Sequence, residues 1–176
     1  MTAEEVYDSV THGGASDFAA AAEIFDCFGP WCLIGGLAVN CYVEPVYTVD
    51  ADFVVVARQM TTVQRALAEA GFSLRTFPHP VNAKRPGSQL NLQLTTDPRY
   101  EDFPERAERQ MVLGVNIPVA ALADVMRGKI WAWQDEGRRL TKRKKDELDL
   151  LRLAEAHPAL QGDMPEEIVR HLEDRL

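Results

Sequence analysis

Asp50 and Asp52 stand one residue apart in the Val-rich run VDADFVVVA, residues 49–57. Side chains two apart on a strand point to the same face, so the two carboxylates project together while Ala51 points away. Carboxylates this close repel each other and hold protons more tightly unless a cation sits between them. Their oxygen-only donor set suits Mg2+ or Mn2+, hard ions that keep waters and bind substrate phosphates. Two such ions can hold the attacking and leaving oxygens of a phosphoryl or nucleotidyl transfer. A glycine pair, Gly35-Gly36, follows the apolar run WCLI at 31–34. Without side chains the backbone can approach a phosphate closely, and a following helix offers unpaired N–H groups and the positive end of its dipole.

Each signal alone is weak, since D-x-D recurs in acidic chains and Gly-Gly is ordinary turn chemistry. Their order is more specific: strand, Gly-Gly, helix, strand bearing D-x-D, with thirteen residues between Gly36 and Asp50. That length accommodates a short helix and a return connection, which brings both groups to one edge of a sheet.

The elements that must hold these residues follow from periodicity. Thr2 and Glu5 have the spacing of a capping box for an opening helix. Ser16 is placed to cap a helix over 17–28, with Phe18, Ala22 and Phe25 as its buried stripe. A helix near 37–44 should end at Pro45, and 49–57 should be a strand. Residues 58–72 have helical spacing through Val63, Leu67 and Ala70 and stop at Gly71. A strand near 72–77 leads into a predicted loop, PHPVNAKRPGS, at 78–88. QLNLQLTT at 89–96 alternates, with Leu90, Leu92 and Leu94 on one side and Asn91, Gln93 and Thr95 on the other. MVLGVNIPVA (111–120) gives one or two short strands, and helices over 121–136, 143–156 and 165–175 follow. The pattern predicts an α+β fold, a mixed β-sheet with packed helices and a C-terminal helical segment. The expected division is an α/β core over 1–120 and a helical subdomain over 121–176 packed on it.

A chain of 176 residues can bury a core without staples. No apolar run reaches the roughly 18–20 residues of a membrane span. The acidic start, MTAEEVYDSV, lacks the regions of a signal peptide, so the cytoplasm is the expected compartment. Cys27, Cys32 and Cys41 are odd in number and sit in or beside apolar segments, which reads as reduced core or near-core thiols. The four histidines show no metal-ligand spacing. A net charge of −8 argues against a surface generally adapted to nucleic acid. Yet Arg127, Lys129, Arg138, Arg139, Lys142, Arg143, Lys144 and Lys145 are opposed only by Asp135 and Glu136 within their segment. A partner carrying phosphate or carboxylate fits that run, and so does a solvated helix face.

With these residues in view, IGGLAVNCYVEPVYTVDADF (34–53) resembles the nucleotidyltransferase superfamily typified by DNA polymerase β. The likeness is to its minimal prokaryotic branch, which includes abortive-infection-type nucleotidyltransferase toxins. NIPVAALADVMRGKIWAWQDEGRRLTKRKKDELDLLRL (116–153) is similar to the same branch through Pro118, Lys129, Arg138, Arg139, Lys145-Asp146 and Asp149-Leu150. The resemblance spans residues 17 to 155. It implies a nucleotidyltransferase-like mixed sheet, with Mg2+ or Mn2+ on the catalytic pair Asp50 and Asp52. It implies a nucleoside triphosphate near Gly35, Gly36, Thr48, Lys129 and Lys145. It further implies transfer of NMP to a hydroxyl on RNA, a protein or a small molecule such as an aminoglycoside, in a toxin–antitoxin setting.

Two departures from the branch bear on chemistry. Active members usually carry a third carboxylate on a later strand, where it serves as metal ligand and base for the acceptor hydroxyl. The corresponding strand here offers Asn91 and Gln93, with Asp97 just past its end. The arginine often found before Thr-x-Asp-x-Asp is missing, the sequence there being Pro45-Val46-Tyr47. The alternative expectation is therefore a degenerate nucleotidyltransferase fold that binds nucleotide or a partner without catalysis. An unrelated α+β domain is the third reading. Lys129 and Asp146 read either as an internal ion pair or as substrate contacts. Trp131 and Trp133 cannot share one helix face, so one belongs to the core. Lys84 and Arg85 read as a solvated loop or as reach toward an acceptor, and Asn40 as the polar face of a helix with Tyr47 at the border of the site.

Overall fold

The computed structural model describes residues 2–78 and 80–173. His79 of the predicted loop and residues 174–175 of the predicted last helix lie outside them. Among the described residues seven strands form one mixed sheet: β1 (Trp31–Ile34), β2 (Asp50–Val55), β3 (Ser73–Thr76), β4 (Pro80–Lys84), β5 (Asn91–Thr95), β6 (Glu108–Val112) and β7 (Val115–Val119). Their order is β3-β4-β5-β2-β1-β7-β6. β2 runs parallel to β5 and β1 parallel to β7, while the other neighbours are antiparallel. The helices are α1 (Ala3–Thr11), α2 (Gly14–Asp26), α3 (Gly35–Val39), α4 (Met60–Glu69), α5 (Phe103–Arg106), α6 (Leu122–Gln134), α7 (Leu140–Ala156) and α8 (Glu166–Glu173). This is the α+β mixed-sheet architecture read from the sequence.

Strand alternation sets the two faces of the sheet. Ala51 and Phe53 of β2, Leu92 and Leu94 of β5, and Val81 and Ala83 of β4 are all buried. On this side Phe53 meets Phe18 and Phe25 of α2 at ring separations of 5.8 and 5.0 Å. Val63 and Leu67 of α4 complete the layer without exposure. The opposite face carries Asp50 and Asp52, and it is divided. Over β1, where α3 and α5 pack, all four strand residues are buried. Over β5, β4 and β3 it presents Asn91, Gln93, Thr95, Asn82, Lys84, Ser73 and Arg75, half-buried or exposed. The acidic pair lies at the boundary between the covered and open halves.

Several sequence-based expectations need correction. The Thr2–Glu5 capping box forms in both directions, but Ser16 does not cap α2. That helix starts at Gly14 behind Gly13, whose φ is +91°. Asp8 and Thr11 side chains accept from the N–H groups of Ala15, Ser16 and Gly14, so α1 supplies the cap. The helix expected near 37–44 is the five-residue α3. Asn40 ends it by accepting from Val46 N–H at 3.0 Å and donating to Val46 C=O at 2.7 Å, which ties down the return loop. An Asn side chain that satisfies loop backbone competes with helix continuation. The predicted loop at 78–88 contains β4, because Pro80 takes the first strand position, where a missing N–H is tolerated. Residues 98–106, assigned no element from sequence, form a 3-10 turn and α5. α7 begins at Leu140, three residues early, and carries Lys142, Arg143, Lys144 and Lys145. Cys32 is buried and Cys41 partly so, but Cys27 is exposed at the end of α2. No helix among the described residues is long and apolar enough to cross a membrane.

Candidate functional site

Ile34 pairs with Asp52 in the β1–β2 ladder, so the chain leaves β1 directly beside that carboxylate. A side chain on Gly35 would collide with Asp52 Oδ2, and the φ of +71° is one that only glycine adopts without strain. Gly36 is different: an added Cβ would meet Thr48 no closer than 3.7 Å. The first glycine is therefore demanded by the protein's own packing, and the second is not.

Asp50 and Asp52 project from β2 toward a cleft of about 430 Å3 whose walls include Gly35, Gln93, Lys129 and Lys142. Lys142 Nζ of α7 lies 2.7 Å from Asp50 Oδ2, and Asn91 Nδ2 lies 3.5 Å from Oδ1. Thr48 is buried just before the strand. Its hydroxyl accepts from Asp50 N–H at 3.4 Å and from Lys145 Nζ at 3.3 Å. The β2–β5 register sets Asn91 beside Asp50 and Gln93 beside Asp52. Neutral amides thus stand beside the acidic pair, on the strand where the resemblance led to the expectation of a third carboxylate. Asp97 lines the cleft but caps the 3-10 turn and is paired with Arg99 at 2.7 Å.

The two carboxylates are driven apart electrostatically. Burial opposes ionisation of Asp50, but the Lys142 hydrogen bond and charge outweigh it, aided by Asn91 and Lys145, and its pKa falls below the ordinary 3.8. Burial lifts Asp52 to about 6, with Lys129 opposing the rise and the Asp50 charge adding to it. One carboxylate has a cation against it and the other does not.

Lys129 is buried at the cleft wall, with Nζ 2.9 Å from Asp146 Oδ1 and 2.7 Å from Asp149 Oδ2. The latter is a charge contact outside hydrogen-bond alignment. Arg138 takes the other oxygen of Asp146 at 2.8 Å, and Arg152 that of Asp149 at 2.7 Å. The internal ion pair read for Lys129 and Asp146 is thus present, extended to Asp149. Burial lowers the proton affinity of Lys129, yet the two carboxylates more than restore it and its pKa is raised.

Several cleft residues escaped the sequence reading. Lys142 is the principal one: with α7 starting at Leu140, Lys142, Lys145, Asp146 and Asp149 form an i, i+3, i+4, i+7 stripe whose lysines reach Asp50 and Thr48 and whose aspartates meet Lys129 of α6. Read from that start, the stripe was visible in the sequence. Asp124, held by Arg106 at 2.8 Å and Arg127 at 3.2 Å, lines the opposite wall. Tyr100 and Phe103 pack on Trp131, whose ring lies 5.3 Å from the Arg99 guanidinium carbon. Trp133 instead donates to Glu147 at 3.2 Å. Arg85 pairs with Asp17 at 2.9 Å and stacks on Phe72, a structural role, whereas Lys84 stays exposed.

Among the described residues no three of His, Cys, Asp and Glu come together as a metal-binding group. The donor set of Asp50 and Asp52 nonetheless fits a hard divalent cation. Both are carboxylates on one face, and an ammonium already rests on Asp50.

Comparison with known structures agrees with this architecture. The solution structure of the antibiotic-resistance factor ANT(2'')-Ia superposes with a TM-score of 0.57 at 10% identity, covering 92% of this chain and 97% of that one. The crystal structure of the same factor in complex with adenylyl-2''-tobramycin gives 0.57 at 12% identity, with the same coverage. An antigenic nucleotidyltransferase-like protein from Paracoccidioides brasiliensis gives 0.56 at 19% identity, covering 92% and 86%. Identities this low show a shared fold and no more. No curated protein matches the chain in sequence. The family described as nucleotidyl transferase AbiEii toxin, Type IV TA system, matches residues 19–176, nearly the whole length. The chain belongs to that nucleotidyltransferase family.

Proposed function

We propose that the cleft binds a nucleoside triphosphate with Mg2+ or Mn2+ and transfers its nucleotidyl group to a hydroxyl acceptor, within a toxin–antitoxin pair in the cytoplasm. The observation that carries this reading is the apposition of Asp50 and Asp52 to Gly35 on one side and to the cations of α6 and α7 on the other. In this reading residues 1–120 supply the acidic pair and residues 121–176 the basic wall.

Asp50 and Asp52 would hold the divalent cation, which when bound neutralises phosphate charge and polarises the reacting phosphoryl group. Gly36, free of steric demand from the protein, leaves room for a phosphate oxygen to approach the backbone. Lys142 and Lys145, beside Asp50 and Thr48, stand where the triphosphate charge would fall. Lys129 faces the same cleft from its ion-pair network and holds Asp146 and Asp149 in place. In the transfer, the acceptor oxygen bonds to the α-phosphorus as the bond to pyrophosphate breaks, and the acceptor proton must leave. Asn91 and Gln93 cannot take it, and Asp97 is committed to Arg99, so the proton leaves to solvent.

The amides at Asn91 and Gln93 favour a second reading, a nucleotide- or partner-binding protein without transfer. Incubation with α-32P-labelled ATP, CTP, GTP and UTP, Mg2+ or Mn2+, and pools of RNA and cell lysate separates the two. Label transferred by the wild type and lost in Asp50→Asn/Asp52→Asn is the expected result. Absence of label with all four donors, while nucleotide still binds by calorimetry, would leave the binding reading standing.

A further inference from the structure

If the donor site is as proposed, the topology fixes the side from which the acceptor must come. An in-line displacement keeps attacking and leaving oxygens on opposite sides of the α-phosphorus. The triphosphate side is the β1 side of the acidic pair, with Gly35, Gly36 and the α7 lysines. The other side is β5, and beyond it the open half of the sheet face. There a second cavity of about 570 Å3 adjoins the first through Asn91, which touches Asp50.

We infer that this open face of β5, β4 and β3 is the acceptor site and takes a phosphate-bearing acceptor, with Arg75 and Lys84 as its anion contacts. The two cations lie on one face by register: Ser73 pairs with Lys84 and Arg75 with Asn82. Both are exposed, and among the described residues neither makes an ion pair. Beyond Asp50 and Asp52, this face of the three strands carries amides, hydroxyls and cations, and no acidic residue lines the second cavity. Asn82 Oδ1 is buried there without a hydrogen-bond partner among the described residues. Phe77, 48% exposed at the end of β3, offers a ring face beside them. A charge guarding an edge strand would account for Arg75 alone, because β3 is the sheet edge. It would not account for Lys84 on the inner strand β4, nor for the vacant Asn82 oxygen.

The span narrows the ligand. Three strand spacings separate β2 from β3, about 14 Å, so an acceptor with its hydroxyl at the acidic pair and a phosphate on Arg75 must be extended. A polycation would meet Arg75 and Lys84 unfavourably. The protein's net charge of −8 does not override the patch, because exposed charges farther than about 8 Å are largely screened at physiological salt.

The test is binding of a fluorescein-labelled single-stranded oligoribonucleotide, by anisotropy at 50 and 200 mM salt, to wild type and to Arg75→Glu/Lys84→Glu. The wild type should bind, and the double variant at least tenfold more weakly. The slope of log K against log salt should flatten by about 1.4 on loss of two single-strand phosphate contacts. A nucleoside 5′-monophosphate is the competing probe: displacement at equal phosphate concentration points to a small phosphorylated acceptor, and failure to displace points to a chain. Both results support the site. A double variant within twofold of wild type, or a wild type that binds neither probe at 50 mM salt, overturns it. Calorimetry of ATP with Mn2+ on the same proteins keeps the questions separate. Loss of that binding in the wild type sinks the donor-site reading, whereas its retention shows the variant folded with its donor site intact. Arg75→Gln/Lys84→Gln, which removes charge without reversing it, should fall between the two proteins.

Discussion

Two pairs of aspartates, Asp50 with Asp52 and Asp146 with Asp149, lie in this region, three of the four lining the cleft, and they are treated in opposite ways. Asp146 and Asp149 on α7 are buried, and each has a cation on both oxygens from Lys129, Arg138 and Arg152. On β2, Asp50 has one half-exposed lysine against it, whereas Asp52 pairs with no cation among the described residues and is left with a raised pKa. The first pair is a finished ion network that fixes α6 against α7. The second holds negative charge that the chain itself does not neutralise. Charge satisfaction, rather than the presence of carboxylates, separates the scaffold pair from the proposed site pair in this molecule.

The contrast can be broken by substitution. Lys129→Met should be the most damaging change, because it leaves two buried carboxylates short of a cation, an effect of about 3–5 kcal/mol. Chemical denaturation would show it as a fall in midpoint with little change in slope. If Lys129→Met were as stable as wild type, the network would not be structural. Gly35→Ala should cost about 1–3 kcal/mol, since it forces a side chain into left-handed backbone against Asp52.

Asp52→Asn should act in the opposite direction. The folded-state pKa of Asp52 is raised above 3.8, so the folded protein binds the extra proton. That contribution to stability is fully present below about pH 4 and is lost as pH rises through about 6. In metal-free buffer at pH 7, Asp52→Asn should therefore gain up to roughly 3 kcal/mol, and thermal melts from pH 4 to 7 should flatten. A variant less stable than wild type at pH 7 would mean that Asp52 is satisfied after all. The smallest effect belongs to Gly36→Ala, neutral or stabilising by up to about 1 kcal/mol because the site is helical and uncrowded. Its nucleotide affinity should nonetheless drop in calorimetry. Unchanged affinity would show that no phosphate approaches there.

Much of this was legible before the fold. The period-two run of β5 and the β-branched run of β2 placed the polar side chains on one face, and the order of Gly-Gly, helix and D-x-D placed Gly35 and the acidic pair at one edge of the sheet. What escaped reading was governed by tertiary context. β4 hides behind Pro80 and Pro86, and its pairing needs partners on both sides. Asn40 looked like a helix surface residue, but its side chain closes a loop and also accepts from Arg152. Lys142 was counted only within a basic run, since its meaning depends on where α7 starts. The pairing of Arg85 with Asp17 joins residues 68 apart, which no local pattern can show.

The most direct test of the contrast between the two aspartate pairs is Mn2+ binding, followed by electron paramagnetic resonance with a non-hydrolysable ATP analogue present. Wild type, Asp50→Asn/Asp52→Asn and Asp146→Asn would be compared, each first shown to be folded. Binding kept in wild type and Asp146→Asn but lost in the double variant is the expected result. Equal Mn2+ binding by the double variant and wild type would contradict the assignment of the unneutralised pair as the site.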